Sequence, residues 1–93
     1  MYTLVIYDIT DNDVRMKIAQ VCKEAGLVRI QKSAFLGVID SQTRKGLEIK
    51  LRNILGSNKG NIQLFIICEA DISYRKIIGQ TLEYEEDENI VLL

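Results

Sequence analysis

The 93-residue sequence predicts an α+β domain with two helices on one face of an antiparallel sheet. Three observations point there. Apolar β-rich runs and helical stripes follow one another in the order β-α-β-β-α-β, with a short apolar run at the end. Two of the runs, 2–9 and 61–68, are apolar at both parities, as strands are when buried on both faces. The length suits one core and leaves no room for a second.

The first strand, Tyr2-Thr3-Leu4-Val5-Ile6-Tyr7-Asp8-Ile9, reads as central and ends in a carboxylate. Asp is depleted in strands and costly to bury ionised, so Asp8 calls for a hydrogen bond, a basic neighbour or a metal. Thr10-Asp11-Asn12-Asp13 is rich in N-cap residues, and a helix follows to Ala25. Its stripe is Val14, Ile18, Val21, Cys22 and Ala25, and Gly26 stops it. Residues 27–39 read as two strands joined by a short turn or bulge at Gln31-Lys32-Ser33. Asp40-Ser41 caps a second helix over about 42–55, with Leu47, Leu51, Ile54 and Leu55 inward. Residues 56–60 form a loop, 61–68 a strand, and 71–79 hold a helical turn. The core is expected over about 1–80, followed by an acidic linker at 81–88 and a final strand at 89–93.

This order is the ferredoxin-like plan, whose two helices cover one sheet face and leave the other open. Two helices cannot cover strands that are apolar on both sides. An exposed apolar face of that size marks an interface. The expectation is a homodimer packed twofold through the open sheet faces, with strand 90–93 available to pair with the partner's sheet edge.

Composition narrows the chemistry. There is no histidine, which excludes His general bases, Ser-His and Cys-His pairs and His metal ligands. Cys22 and Cys68 are too few and too far apart for a disulfide framework or a zinc site, and read as small core residues. No apolar run is long enough to cross a bilayer, and no basic region precedes the first one as in a signal peptide, so the expected location is cytoplasmic, with no membrane partner. The net charge of −1 hides an asymmetry: residues 14–59 carry 10 Lys or Arg against Glu24, Asp40 and Glu48, whereas 83–88 carry Glu83, Glu85, Glu86, Asp87 and Glu88. The basic stretch is compatible with nucleic-acid binding and equally with a solvated surface.

Asp8 is the centre of the chemical reading. Magnesium takes one or two carboxylates and completes its shell with water and phosphate oxygens, and such an ion activates water against a phosphodiester. Twofold packing can bring two copies of Asp8 together. The alternative is a structural Asp accepting hydrogen bonds from the 10–13 loop. Arg15, Lys17 and Arg29 are candidates for phosphate contacts, or else solvated surface. Tyr7 points away from Asp8 in a regular strand, as a core or interface aromatic, and Phe35 is either a core residue or a base-stacking one.

The segment Tyr7-Asp8-Ile9-Thr10-Asp11 with Arg15, and then Arg29-Ile30-Gln31-Lys32-Ser33-Ala34-Phe35, resembles the two signatures of the small CRISPR-associated adaptation proteins, the Cas-two family. The resemblance covers essentially the whole chain. It implies a ferredoxin-like homodimer in CRISPR spacer acquisition that bridges dimers of a Cas-one integrase partner and holds double-stranded DNA. It also implies a magnesium-dependent endonuclease acting on single-stranded RNA or double-stranded DNA. The family's metal carboxylate falls on Asp8, its supporting aromatics on Tyr7 and Phe35, and its basic positions on Arg15 and Arg29, with Lys17 where some members have Arg. The chain departs from the signature at Ala34, where Val is usual. Two other readings stand beside the nuclease: a non-catalytic scaffold for integrase and duplex, and a ferredoxin-like regulatory domain for a small molecule.

Overall fold

A computed structural model describes residues 1–80. The expected acidic linker at 81–88 and final strand at 89–93 lie outside the described residues. The elements are β1 (Tyr2–Asp8), α1 (Asn12–Glu24), β2 (Val28–Gln31), β3 (Ala34–Val38), α2 (Ser41–Leu55), β4 (Asn61–Ile67) and α3 (Glu69–Ser73). The sheet order is β2-β3-β1-β4, and every neighbouring pair is antiparallel. This is the ferredoxin-like arrangement, with β1 in the interior of the sheet.

Helices α1 and α2 each start where a carboxylate can satisfy free amides. Asp11 Oδ1 accepts from Val14 N at 3.0 Å, and Asp40 Oδ1 accepts from Thr43 N at 2.7 Å. Hydrogen bonds from the Thr43 amide and side chain hold the exposed Asp40 carboxyl below its ordinary pKa. Helix α1 buries Val14, Ile18, Ala19 and Cys22, and α2 buries Leu47 and Leu51. They pack on Val5, Tyr7 and Phe35 of the sheet, with Val21, Ala25, Ile54 and Leu55 half-buried at the margin of the core. Cys22 lies wholly inside, and burial pushes its thiol up to about 12, against the opposing pull of Arg29.

Strand register divides the residues between two faces. Val5 sits between Phe35 and Leu64, so these three point toward the helices. Leu4 sits between Leu36 and Phe65, and Ile6 between Ala34 and Gln63, on the other side. Neither α1 nor α2 covers that side. Ile6 is 40% exposed, Phe65 43% and Val38 59%. The single chain therefore leaves an apolar sheet face open, as two helices set against strands apolar at both parities require.

Two smaller expectations also change. Strand β4 stops at Ile67, and Cys68 is a half-buried N-cap whose Sγ accepts from Asp71 N at 3.4 Å, not a core residue. The helical turn expected over 71–79 begins earlier, as α3 at Glu69.

Candidate nucleic-acid interface and carboxylate site

The candidate residues meet at one end of the sheet, where β1 runs into α1 and the β2–β3 turn lies alongside. Tyr7 is the hinge of this arrangement. It is 4% exposed, its amide donates to Ser33 O at 3.0 Å, and its hydroxyl donates to Lys32 O at 3.3 Å. These bonds fasten the β2–β3 turn to the end of β1. Burial raises the Tyr7 pKa, with the nearby Arg29 guanidinium opposing.

Beneath Tyr7 lies Phe35, fully buried, with ring centroids 6.4 Å apart and planes 18° from parallel. The Arg29 guanidinium stands 5.1 Å from the Phe35 centroid, within cation–π range. Because Phe35 has no exposed face, it cannot stack on a nucleotide base; what it offers is a surface that orients Arg29. A bulge supports this geometry. Arg29 pairs with Phe35 and Gln31 with Ala34, so Ile30 is the extra residue.

Arg15, Arg29 and Lys32 line one cleft of about 340 Å³, together with Tyr7, Asn12 and Ser33. Arg15 Nη2 donates to Asn12 Oδ1, which holds its guanidinium near the start of α1. Lys17 is exposed on α1 and does not line the cleft. The structure thus brings two of the three expected cations together and adds Lys32. Within the sequence Lys32 is one polar residue in a turn. Its place at the cleft depends on the hairpin register and on the bonds from Tyr7, which no local pattern reveals.

Asp8 is placed differently. Tyr7 lines the cleft, while Asp8 follows it along the strand and points to the open face with Ile6 and Leu4. Its carboxylate is exposed, so the burial cost expected from the sequence does not arise in the single chain. The 10–13 loop makes no hydrogen bond to it among the described residues; Asp11 of that loop caps α1 instead. Asp8 pairs in register with Asn61. The preceding Gly60, at φ +119°, lies against the end of β1: a Cβ built there would collide with the Asp8 carbonyl oxygen and stand 2.7 Å from Ile9 Cδ1. That close approach fixes the backbone from which Asp8 projects.

Among the described residues, no group of three or more His, Cys, Asp or Glu gathers to hold an ion. A single exposed carboxylate still suits magnesium, which keeps several waters and takes other oxygens from phosphate. No described helix is long and apolar enough to cross a membrane.

Comparison with known proteins agrees with this architecture. Residues 1–88 match the family described as CRISPR associated protein Cas2. The chain is 44% identical over 77 residues to a protein of Korarchaeum cryptofilum named CRISPR-associated endoribonuclease Cas2, covering 83% of each. It is 40% identical over 72 residues to a Thermoproteus tenax protein named CRISPR-associated endonuclease Cas1/endonuclease Cas2 fusion, covering 77% of this chain and 27% of that one. The crystal structure of Streptococcus pyogenes Cas2 superposes with a TM-score of 0.74 at 19% identity, over 85% of this chain and all of the other, a likeness of fold. Fold, family signatures and the match over 1–88 agree: the chain belongs to the CRISPR-associated Cas2 family.

Proposed function

We propose that this chain is a magnesium-dependent endonuclease of CRISPR spacer acquisition, working as a homodimer that binds nucleic acid. The observation that carries this reading is one end of the sheet holding both an exposed carboxylate, Asp8, and a cleft lined by Arg15, Arg29 and Lys32. The endoribonuclease name of the Korarchaeum relative supports the activity. The open face with exposed Ile6, Val38 and Phe65 supports a twofold dimer that covers it.

In this reading Asp8 holds magnesium, with or without the partner's copy. A magnesium ion supplies Lewis acidity that activates water and steadies charge developing on phosphate. Arg15 and Arg29 hold the nucleic-acid backbone, single-stranded RNA or double-stranded DNA. Lys17 contributes positive charge from the exposed side of α1. Tyr7 and Phe35 support Arg29 from inside the core.

The second reading is a scaffold without turnover that bridges Cas1 integrase dimers and supports duplex DNA. One observation favours it: among the described residues, Asp8 belongs to no group of three or more side chains of the metal-ligating kinds. The fusion of Cas1 and Cas2 in the Thermoproteus relative supports an integrase partner under either reading.

Asp8→Ala separates the two. The nuclease reading expects magnesium-dependent cleavage of labelled single-stranded RNA to disappear, with the dimer intact by sedimentation velocity. Cleavage at the wild-type rate by Asp8→Ala removes Asp8 as the metal centre. Full spacer integration by Asp8→Ala together with Cas1 favours the scaffold.

A further inference from the structure

Three cations from three elements line the cleft: Arg15 from the first turn of α1, Arg29 from β2 and Lys32 from the turn that follows. Among the described residues, no carboxylate lines it. Like charges gathered around one concavity focus the local potential toward an anion. The backbone of the turn is pinned at Lys32 O and Ser33 O by Tyr7, so Lys32 projects from a fixed base while its side chain is exposed.

The position of the cleft limits what a bound anion can be. Tyr7 lines it, and Asp8, the next residue, points to the opposite face of the sheet. Consecutive Cα atoms lie about 3.8 Å apart, so a strand can touch both places only by passing around the end of β1. It then meets each place with a different phosphate. The volume, about 340 Å³, is near the lower end of small-ligand pockets. It suits one nucleotide or one backbone phosphate of a longer strand.

We propose that this cleft anchors a phosphate that is not the one cleaved, and that Lys32 contacts it directly beside Arg15 and Arg29. The proposal rests on the nucleic-acid-binding reading above. It makes Lys32 a binding residue whose contribution is independent of Asp8.

The test is fluorescence anisotropy of the full chain with a labelled single-stranded oligonucleotide, across about 50–200 mM salt and with calcium in place of magnesium. Lys32→Ala is expected to weaken binding about tenfold at the lowest salt and to make the dependence of log K on log salt shallower by roughly 0.7. Lys32→Arg restores the slope, since it restores the charge. Lys45→Ala, which removes the same charge from the exposed side of α2, leaves the slope unchanged. In an Asp8→Ala background, Lys32→Ala weakens binding by the same factor, because independent sites add.

An unchanged slope in Lys32→Ala overturns the anchor. So does an equal loss from Lys45→Ala, which reduces the effect to overall charge. A factor that changes more than about threefold in the Asp8→Ala background overturns it as well, because the two residues then hold one phosphate. If the wild-type chain binds no oligonucleotide, the anchor and the proposed function both fall. If it binds and Lys32 is indifferent, only the anchor falls.

Discussion

Replacing Gly60 with alanine should destabilise the fold by about 3 kcal/mol or more, through two costs that add. The first is conformational. Gly60 has φ +119°, a backbone region that residues with a Cβ adopt only under strain, at about 1–3 kcal/mol. The second is steric. The new Cβ would collide with the Asp8 carbonyl oxygen and stand 2.7 Å from Ile9 Cδ1 and 3.3 Å from Ile9 Cα. Ile9 is 4% exposed and belongs to the core cluster, so it has little room to retreat. Forcing atoms into a packed site costs another ~1–3 kcal/mol. A domain of this size has roughly 5–15 kcal/mol in total. A 3 kcal/mol loss lowers Tm by about 12–24 °C. Urea titration and thermal melting by circular dichroism measure both quantities. Asp8→Ala is the companion: it removes an exposed side chain and should shift stability by no more than about 0.5 kcal/mol. The pair distinguishes loss of the carboxylate from loss of the strand end that carries it. A Gly60→Ala protein within 1 kcal/mol of wild type would refute the claim that this approach is rigid.

Two other outcomes test the interior. Thr3 is fully buried and its Oγ1 has no hydrogen-bond partner among the described residues, so Thr3→Val should stabilise by about 1 kcal/mol in urea titration; destabilisation would show that the hydroxyl is satisfied. Burial raises the Cys22 pKa from 9.0 to about 12, so at pH 8 its thiolate population, and its reaction with a thiol reagent, should fall about a thousandfold below an unperturbed thiol. Half-buried Cys68 should react first. The sign of the linkage follows: Cys22 contributes stability that is fully present below pH 9 and is lost as pH rises through about 12. A stability profile in which Cys22→Ala does not reduce this alkaline loss would contradict it.

The helices and strand order were legible because each depends on local spacing. The stripe through Val14, Ile18 and Cys22 and the caps at Asp11 and Asp40 are visible in the sequence and appear as expected in the fold. What spacing could not resolve was the direction of a strand with apolar residues at both parities. The central position of β1 suggests a buried charge at Asp8, whereas its parity places it with Ile6 on the uncovered face. The sequence hides Lys32 for a related reason. Its significance lies in long-range bonds from Tyr7 to the turn, 25 residues away in sequence at the hydroxyl, and in a bulge at Ile30 that aligns Arg29 over Phe35. Local composition at Gln31-Lys32-Ser33 carries neither.

The alternation of a single strand has a consequence for assembly. Tyr7 and Asp8 are consecutive, yet one faces the helices and the cationic cleft while the other faces open sheet. The described residues of one chain supply one carboxylate to that open face at this end of β1, on a surface where Ile6, Val38 and Phe65 remain exposed. Under the proposed dimer, one twofold operation addresses both deficits: it removes the apolar residues from water and sets a second Asp8 on the same side of the assembly. The clefts stay on the helix-covered faces, outside that contact. A dimer of this kind keeps its phosphate anchors at the periphery and its carboxylates at the seam. The nuclease reading requires communication between the two around the end of β1, and the scaffold reading requires only the clefts. The additivity of Lys32→Ala and Asp8→Ala in binding, set beside the loss or survival of cleavage in Asp8→Ala, decides how much of the chemistry crosses that strand end.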